Sequence, residues 1–167
     1  MHHAPDTSVY CRFVWGRVVK FLADSMLGRL AKWLRIMGYD TSYLSFYRKE
    51  DMGSLIQEGR TLLSRRKGTI DHYPGSLMIR SDHVKEQLYE IRNEFHLKPD
   101  RSQWFTRCLI CNVLLKKAQI EHLRVNVPDY ILYENPTYLR ICPSCGRYFW
   151  PGSHRERMLN QLEDWGF

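Results

Sequence analysis

The chain has 167 residues, 44% hydrophobic and 26% charged, enough for one sizeable core or for a domain of about 100 residues with a small satellite. Lysine and arginine number 25 against 18 acidic residues, and the net charge of +7 favours polyanionic partners or a solvated surface. No apolar run nears the ~20 residues of a membrane span, and residues 1–20 lack the features of a secretion signal, so a cytoplasmic protein with reduced thiols and no membrane partner is expected.

Residues 18–23 (VVKFLA) read as a short, mostly buried strand. After Asp24 the period changes: Met26, Leu27, Leu30, Ala31, Leu34 and Met37 form one apolar helix face, and Arg29, Lys32 and Arg35 lie on another. Gly38 suits the helix end, because it tolerates the left-handed conformation. A second strand follows at 40–44, a short helix at 50–58 stopping at Gly59, and a third strand at 60–64. Residues 65–75, with Gly68, Pro74 and Gly75, read as a loop. A fourth strand at 77–80 leads to a helix capped by Ser81 or Asp82, with the stripe Val84, Leu88, Ile91 and Phe95. This order predicts an α/β fold, a parallel sheet with helices on both faces. The polar, proline-bearing stretch 97–102 marks a boundary, giving domains at 1–97 and 98–167.

In the second domain, Cys108 and Cys111 form one C-x2-C pair and Cys142 and Cys145 another, separated from the first by 30 residues. Two such knuckles supply the four-sulfur tetrahedral shell that Zn²⁺ prefers, and a shell closed by four cysteines is structural. Gly146 falls where a knuckle needs positive φ. Disulfides are disfavoured in a reducing compartment, and a thioredoxin-like site needs only one pair. Cys11 has no partner motif and reads as an ordinary half-buried thiol.

Ligands of open parallel sheets bind beyond the carboxyl ends of the strands. There the chain places Asp24 after strand one, Glu50 and Asp51 after strand two, Arg65 and Arg66 after strand three, and Ser81 and Asp82 after strand four. Converging carboxylates suit Mg²⁺ or Mn²⁺, which can activate water for phosphodiester hydrolysis, with basic neighbours holding the nucleic acid backbone. The structural alternative is open at each position. Asp24 and Asp82 are also good helix caps, and Glu50 and Asp51 also complement a helix dipole. Trp33, at the edge of the first apolar stripe, reads as core. Tyr148, Phe149 and Trp150 are expected to pack between ribbon and core rather than to stack on RNA, and Lys116 and Lys117 read as surface residues.

The stretches FLADSMLGRLAKWLRIMGYDT, EGRTLLSR, FTRCLICN and CPSCGRYFWPGSHRERM, in this order and spacing, resemble the Mut-seven C-terminal RNase domain family. The resemblance implies a PIN-like nuclease fold joined to a zinc ribbon, and a Mg²⁺- or Mn²⁺-dependent ribonuclease acting on RNA. Asp24 matches the family's acid after strand one and Asp82 the acidic position after strand four. The family's T-R-D after strand three is Ser64-Arg65-Arg66 here, which removes a metal-facing carboxylate and adds a cation. Two functions follow. In the first, Asp24 and Asp82 hold the metal, Glu50, Asp51 or Asp71 completes its shell, and Arg29, Arg65, Arg66 or Lys67 steadies the RNA. In the second, the same scaffold, catalytically weakened or inactive, binds RNA or the ribosome.

Overall fold

Side-chain alternation along the first strand decides how the sheet is covered. In the computed structural model, which describes residues 19–43, 45–46, 49–118 and 138–167, β1 (Lys20–Ala23) buries Phe21 and Ala23 in one cluster and Leu22 in another. The first cluster joins them to Leu30 and Leu34 of α1 (Gly28–Ile36) and to Leu88 and Ile91 of α4 (Val84–Glu94). The second joins Leu22 to Met52 of α2 (Lys49–Gln57) and to Leu62 of β3 (Arg60–Ser64). A strand apolar on both sides needs a helix layer on each, as in a parallel sheet.

With β2 (Asp40–Tyr43) and β4 (Leu77–Met78), the strands form a four-stranded, wholly parallel sheet in the order β2-β1-β3-β4. Leu22 lies opposite Ser42 on one side and Leu62 on the other. The chain moves from β1 to its neighbour β2, then returns across β1 to β3. The strand order therefore reverses between β1 and β3, and a crevice at such a switch point is where α/β sheets bind ligands.

Gly38 ends α1 with φ +89°. Its N–H donates to the Arg35 carbonyl (3.0 Å) and that of Tyr39 to the Leu34 carbonyl (2.9 Å), the bond pair of a Schellman motif. A Cβ at Gly38 would lie 2.5 Å from the Gln103 carbonyl oxygen, so glycine is required twice over.

Two local expectations are corrected. Residues 65–75 are not all loop, since Lys67–His72 form a short helix, α3, in which the Arg66 carbonyl accepts from the N–H groups of Thr69 and Ile70. It is six residues long and buries none of them, so no apolar stripe announces it. Neither Ser81 nor Asp82 caps α4: its N-cap is His83, with no side-chain cap bond. The Ser81 hydroxyl instead accepts from the His83 N–H (3.1 Å), and Asp82 turns away to pair with Arg65.

Beyond α4 the chain builds a small antiparallel sheet of β5 (Lys116–Lys117), β6 (Arg140–Ile141) and β7 (Tyr148–Phe149). Its own cluster holds Ala118, Leu139, Ile141, Tyr148 and Trp150. Tyr148 and Trp150 therefore pack inside the ribbon rather than on the α/β core. The last helix, α5 (Ser153–Asp164), returns to the first core, where Leu162 is fully buried and Trp165 packs against Trp33 with ring centroids 4.7 Å apart. The segment between the knuckles at 119–137, and Cys11, lie outside the described residues. No helix among the described residues is long and apolar enough to cross a membrane.

Candidate functional site

At the switch point, β1 ends in Asp24 and β3 ends in Ser64, and the two side chains meet. Asp24 is 1% exposed. One carboxylate oxygen accepts from the Met26 N–H (2.9 Å), which caps the 3₁₀ turn Ser25–Leu27, and the other accepts from the Ser64 hydroxyl (2.5 Å). The Ser64 oxygen in turn accepts from the Arg66 N–H (3.0 Å). Asp24 is thus a cap, as its residue type suggests, and also the one fully buried carboxylate at this end of the sheet among the described residues.

The neighbouring strand ends add charge of both signs. Arg65, on the residue after β3, forms an ion pair with Asp82 beyond β4. Its Nε is buried without a hydrogen-bond partner. Arg66 and Lys67 are exposed beside it, as is Arg29 on α1. Asp51 is exposed on α2, and Glu50 precedes it on the same helix. Asp71 is exposed on α3. Among the described residues, the cysteine cluster is the one place where three or more metal-ligating groups gather, so the structure does not bring Asp24, Asp51 and Asp82 together as a set. Mg²⁺ needs only one or two carboxylates when substrate phosphates and water complete its shell. An all-protein cage is not present among these residues.

The four cysteines do come together. The Sγ atoms of Cys108, Cys111, Cys142 and Cys145 all lie within 4.8 Å of one another, with Cys108 and Cys145 at 3.8 Å. A tetrahedron with Zn–S bonds of ~2.3 Å has edges of about 3.8 Å, so this is the spacing of a metal-ready site. Each knuckle repeats one set of bonds. The Cys111 N–H donates to Cys108 Sγ and the Cys145 N–H to Cys142 Sγ, both at 3.4 Å. The next residue in each, Asn112 (φ 65°) or Gly146 (φ 69°), sits in the left-handed region and donates its N–H back to the Cys108 or Cys142 carbonyl. Burial pushes the Cys108 thiol up to about 12, while the Arg147 N–H draws Cys145 down to about 6. A bound dication would displace the protons held by the cluster. These four side chains could hold a metal such as zinc.

Three residues, Arg35, Arg107 and Asn112, tie this site to the sheet. Arg35 lies off the apolar stripe of α1, yet it is 5% exposed, because the first knuckle covers that turn. Its Nε donates to the Thr41 carbonyl (2.8 Å) and its Nη1 to the carbonyls of Leu109 (2.7 Å) and Ile110 (3.1 Å). Burial lowers the Arg35 pKa, and the charges of Cys108, Cys111 and Asp40 oppose that shift. The Asn112 side chain accepts from the Thr41 N–H (2.9 Å) and donates to Asp40 (2.6 Å). Arg107 donates to the carbonyls of Gly38 (2.9 Å) and Asn112 (2.8 Å). Together these bonds cover the outer edge of β2, an edge that would otherwise offer unpaired backbone groups. Only Asn112 left a trace in the sequence: it follows its C-x2-C pair where glycine follows the other, and asparagine tolerates positive φ next best.

A buried acid at the switch point of a parallel α/β sheet, with arginines on the next strand end and a four-cysteine ribbon behind, defines an α/β domain with an attached candidate metal-binding module. Residues 19–162 match the Mut7-C RNAse domain, and the chain belongs to that family. No curated protein and no solved structure matches the chain.

Proposed function

We propose that this protein acts on RNA as a metal-dependent ribonuclease, holding the phosphodiester backbone at the carboxyl edge of the sheet. One observation carries the reading: the buried Asp24 is hydrogen-bonded to Ser64, and the next residue, Arg65, has an unpartnered buried Nε. An acid beside an unfilled cationic donor suits a phosphate that arrives with its own metal ion. Asp24 would hold that ion, joined by Asp82 and by Glu50 or Asp51 from α2. The ion would supply an activated water and neutralise charge on the phosphate. Arg65 turns from Asp82 to a phosphate oxygen, an exchange of one carboxylate for another oxyanion. Arg66, Lys67 and Arg29 hold the backbone on either side without reading sequence. The ribbon carries a structural zinc on Cys108, Cys111, Cys142 and Cys145.

A second reading, an RNA- or ribosome-binding protein without cleavage, is favoured by the Arg65–Asp82 pair and by Arg66 in place of the family's aspartate. Cleavage of labelled single-stranded RNA by the zinc-loaded protein, with Mn²⁺ or with EDTA, separates the two. The nuclease reading expects cleavage that needs Mn²⁺, disappears in Asp24→Asn and rises in Arg66→Asp, which restores the missing carboxylate. RNA binding with no cleavage under any condition establishes the binder. Cleavage that survives in folded Asp24→Asn removes Asp24 from the chemistry.

A further inference from the structure

The small sheet of the ribbon has two unlike faces. Ile141 and Tyr148 are cross-strand neighbours in register, and both pack into the ribbon's own cluster. Strand alternation sends the next row to the opposite face, where Lys117, Arg140 and Phe149 lie in register across all three strands. Lys117 and Arg140 are exposed. Phe149 is half-buried, and it belongs to none of the hydrophobic clusters among the described residues. Arg147, just before β7, and Tyr138, just before β6, are exposed beside this row, Tyr138 to 62%.

Like charges placed directly opposite across two strands repel, so Lys117 facing Arg140 is unfavourable for the ribbon by itself. Neither Lys117, Arg140 nor Arg147 forms an ion pair with a carboxylate among the described residues. A row of exposed cations ending in an aromatic ring is the surface that single-stranded nucleic acid uses, with phosphates on the cations and a base against the ring.

We propose that this face of the ribbon is a second RNA contact, which takes single strands through Lys117, Arg140 and Phe149. It rests on RNA being the polyanion at the sheet edge, and it makes the ribbon part of substrate binding as well as a metal-held support. Duplexes fit it poorly, because their bases are stacked inside and leave the ring without a partner.

The test is fluorescence anisotropy of a labelled single-stranded RNA with the zinc-loaded full chain across a salt series. The variants are Lys117→Ala/Arg140→Ala, Phe149→Leu, and Lys85→Ala/Lys98→Ala as a control of equal net charge. Two phosphate contacts on a single strand are worth roughly 25-fold in affinity near 0.1 M salt and a log–log slope shallower by about 1.4. Those changes are expected in the ribbon variant and not in the control. Phe149→Leu should lose about fivefold or more on single strands and nothing on a duplex. Equal losses in the ribbon variant and the control, or unchanged affinity in the ribbon variant, overturn the proposal. So does a duplex bound as tightly as a single strand. Arg66→Ala/Lys67→Ala tells the two readings apart: if it weakens binding while the ribbon variant does not, the sheet-edge reading stands alone. If the wild-type chain binds no RNA, both fall.

Discussion

Removing the Asp24 carboxylate tests whether this residue is held in place by what it does for the fold. In Asp24→Ala the 3₁₀ turn loses its cap to the Met26 N–H, worth about 1 kcal/mol. The Ser64 hydroxyl, fully buried, loses a charged acceptor, worth about 1.5–3 kcal/mol. The expected loss is therefore about 2.5–4 kcal/mol, large for one residue. Asp24→Asn keeps an acceptor for Met26 but sets an amide donor against Ser64, whose own proton is then without a partner, so about 1–2 kcal/mol is expected. Ser64→Ala, combined with Asp24→Ala in a double-mutant cycle, should give a coupling of at least about 1 kcal/mol. Urea unfolding of the zinc-loaded protein measures all three, provided the slopes agree between variants. A change within about 0.5 kcal/mol for Asp24→Ala refutes the argument. A gain in stability would show that a buried charge is retained against the interest of the fold, the signature of an acid kept for chemistry.

Chelation of the ribbon metal should expose the β2 edge, because Thr41 is bonded by Asn112 directly beside Cys111; faster hydrogen exchange at the Thr41 amide on adding EDTA is expected, and an unchanged rate would uncouple knuckle and sheet. Metal binding should tighten as pH rises, since the buried Cys108 thiol, pushed up to about 12, must lose its proton to the metal; isothermal titration at two pH values in buffers of different ionisation heat measures the protons released. Asn112→Ala should cost about 2–3 kcal/mol, from two lost hydrogen bonds and a non-glycine residue at positive φ, and Asn112→Gly about 1 kcal/mol less, read from urea midpoints; equal losses would mean that φ carries none of the cost. At Asp40, burial raises the carboxyl pKa, but the Arg60 and Asn112 bonds and the Arg60 and Arg107 charges outweigh it and hold it below its ordinary value. That contribution to stability is complete above the unfolded carboxylate range near pH ~4 and is lost as pH falls through the lower folded value, so Asp40→Asn should flatten the acid limb of a stability–pH curve.

Local pattern carried much of the fold. The switch from strand to helix at Asp24, the stripe Leu30, Ala31 and Leu34, and the glycines at 38 and 59 all act within a few residues, and each appears where its chemistry placed it. The two C-x2-C pairs are equally local: each knuckle is closed by bonds among five consecutive residues, so spacing alone announces it. Helix α3 left no such trace, because a six-residue helix with no buried face has no period to read.

Sequence alone determined the α/β order, the paired knuckles and the presence of an acid after the first strand, because each is set by the chemistry of neighbouring residues. Tertiary structure decided what those residues do to one another. It brought Ser64 onto Asp24 across 40 positions, turned Asp82 to Arg65, and buried Arg35 beneath a knuckle more than 70 residues away. Partners of that kind depend on strand order and on which face a loop covers, and a residue's sequence neighbours carry no record of either.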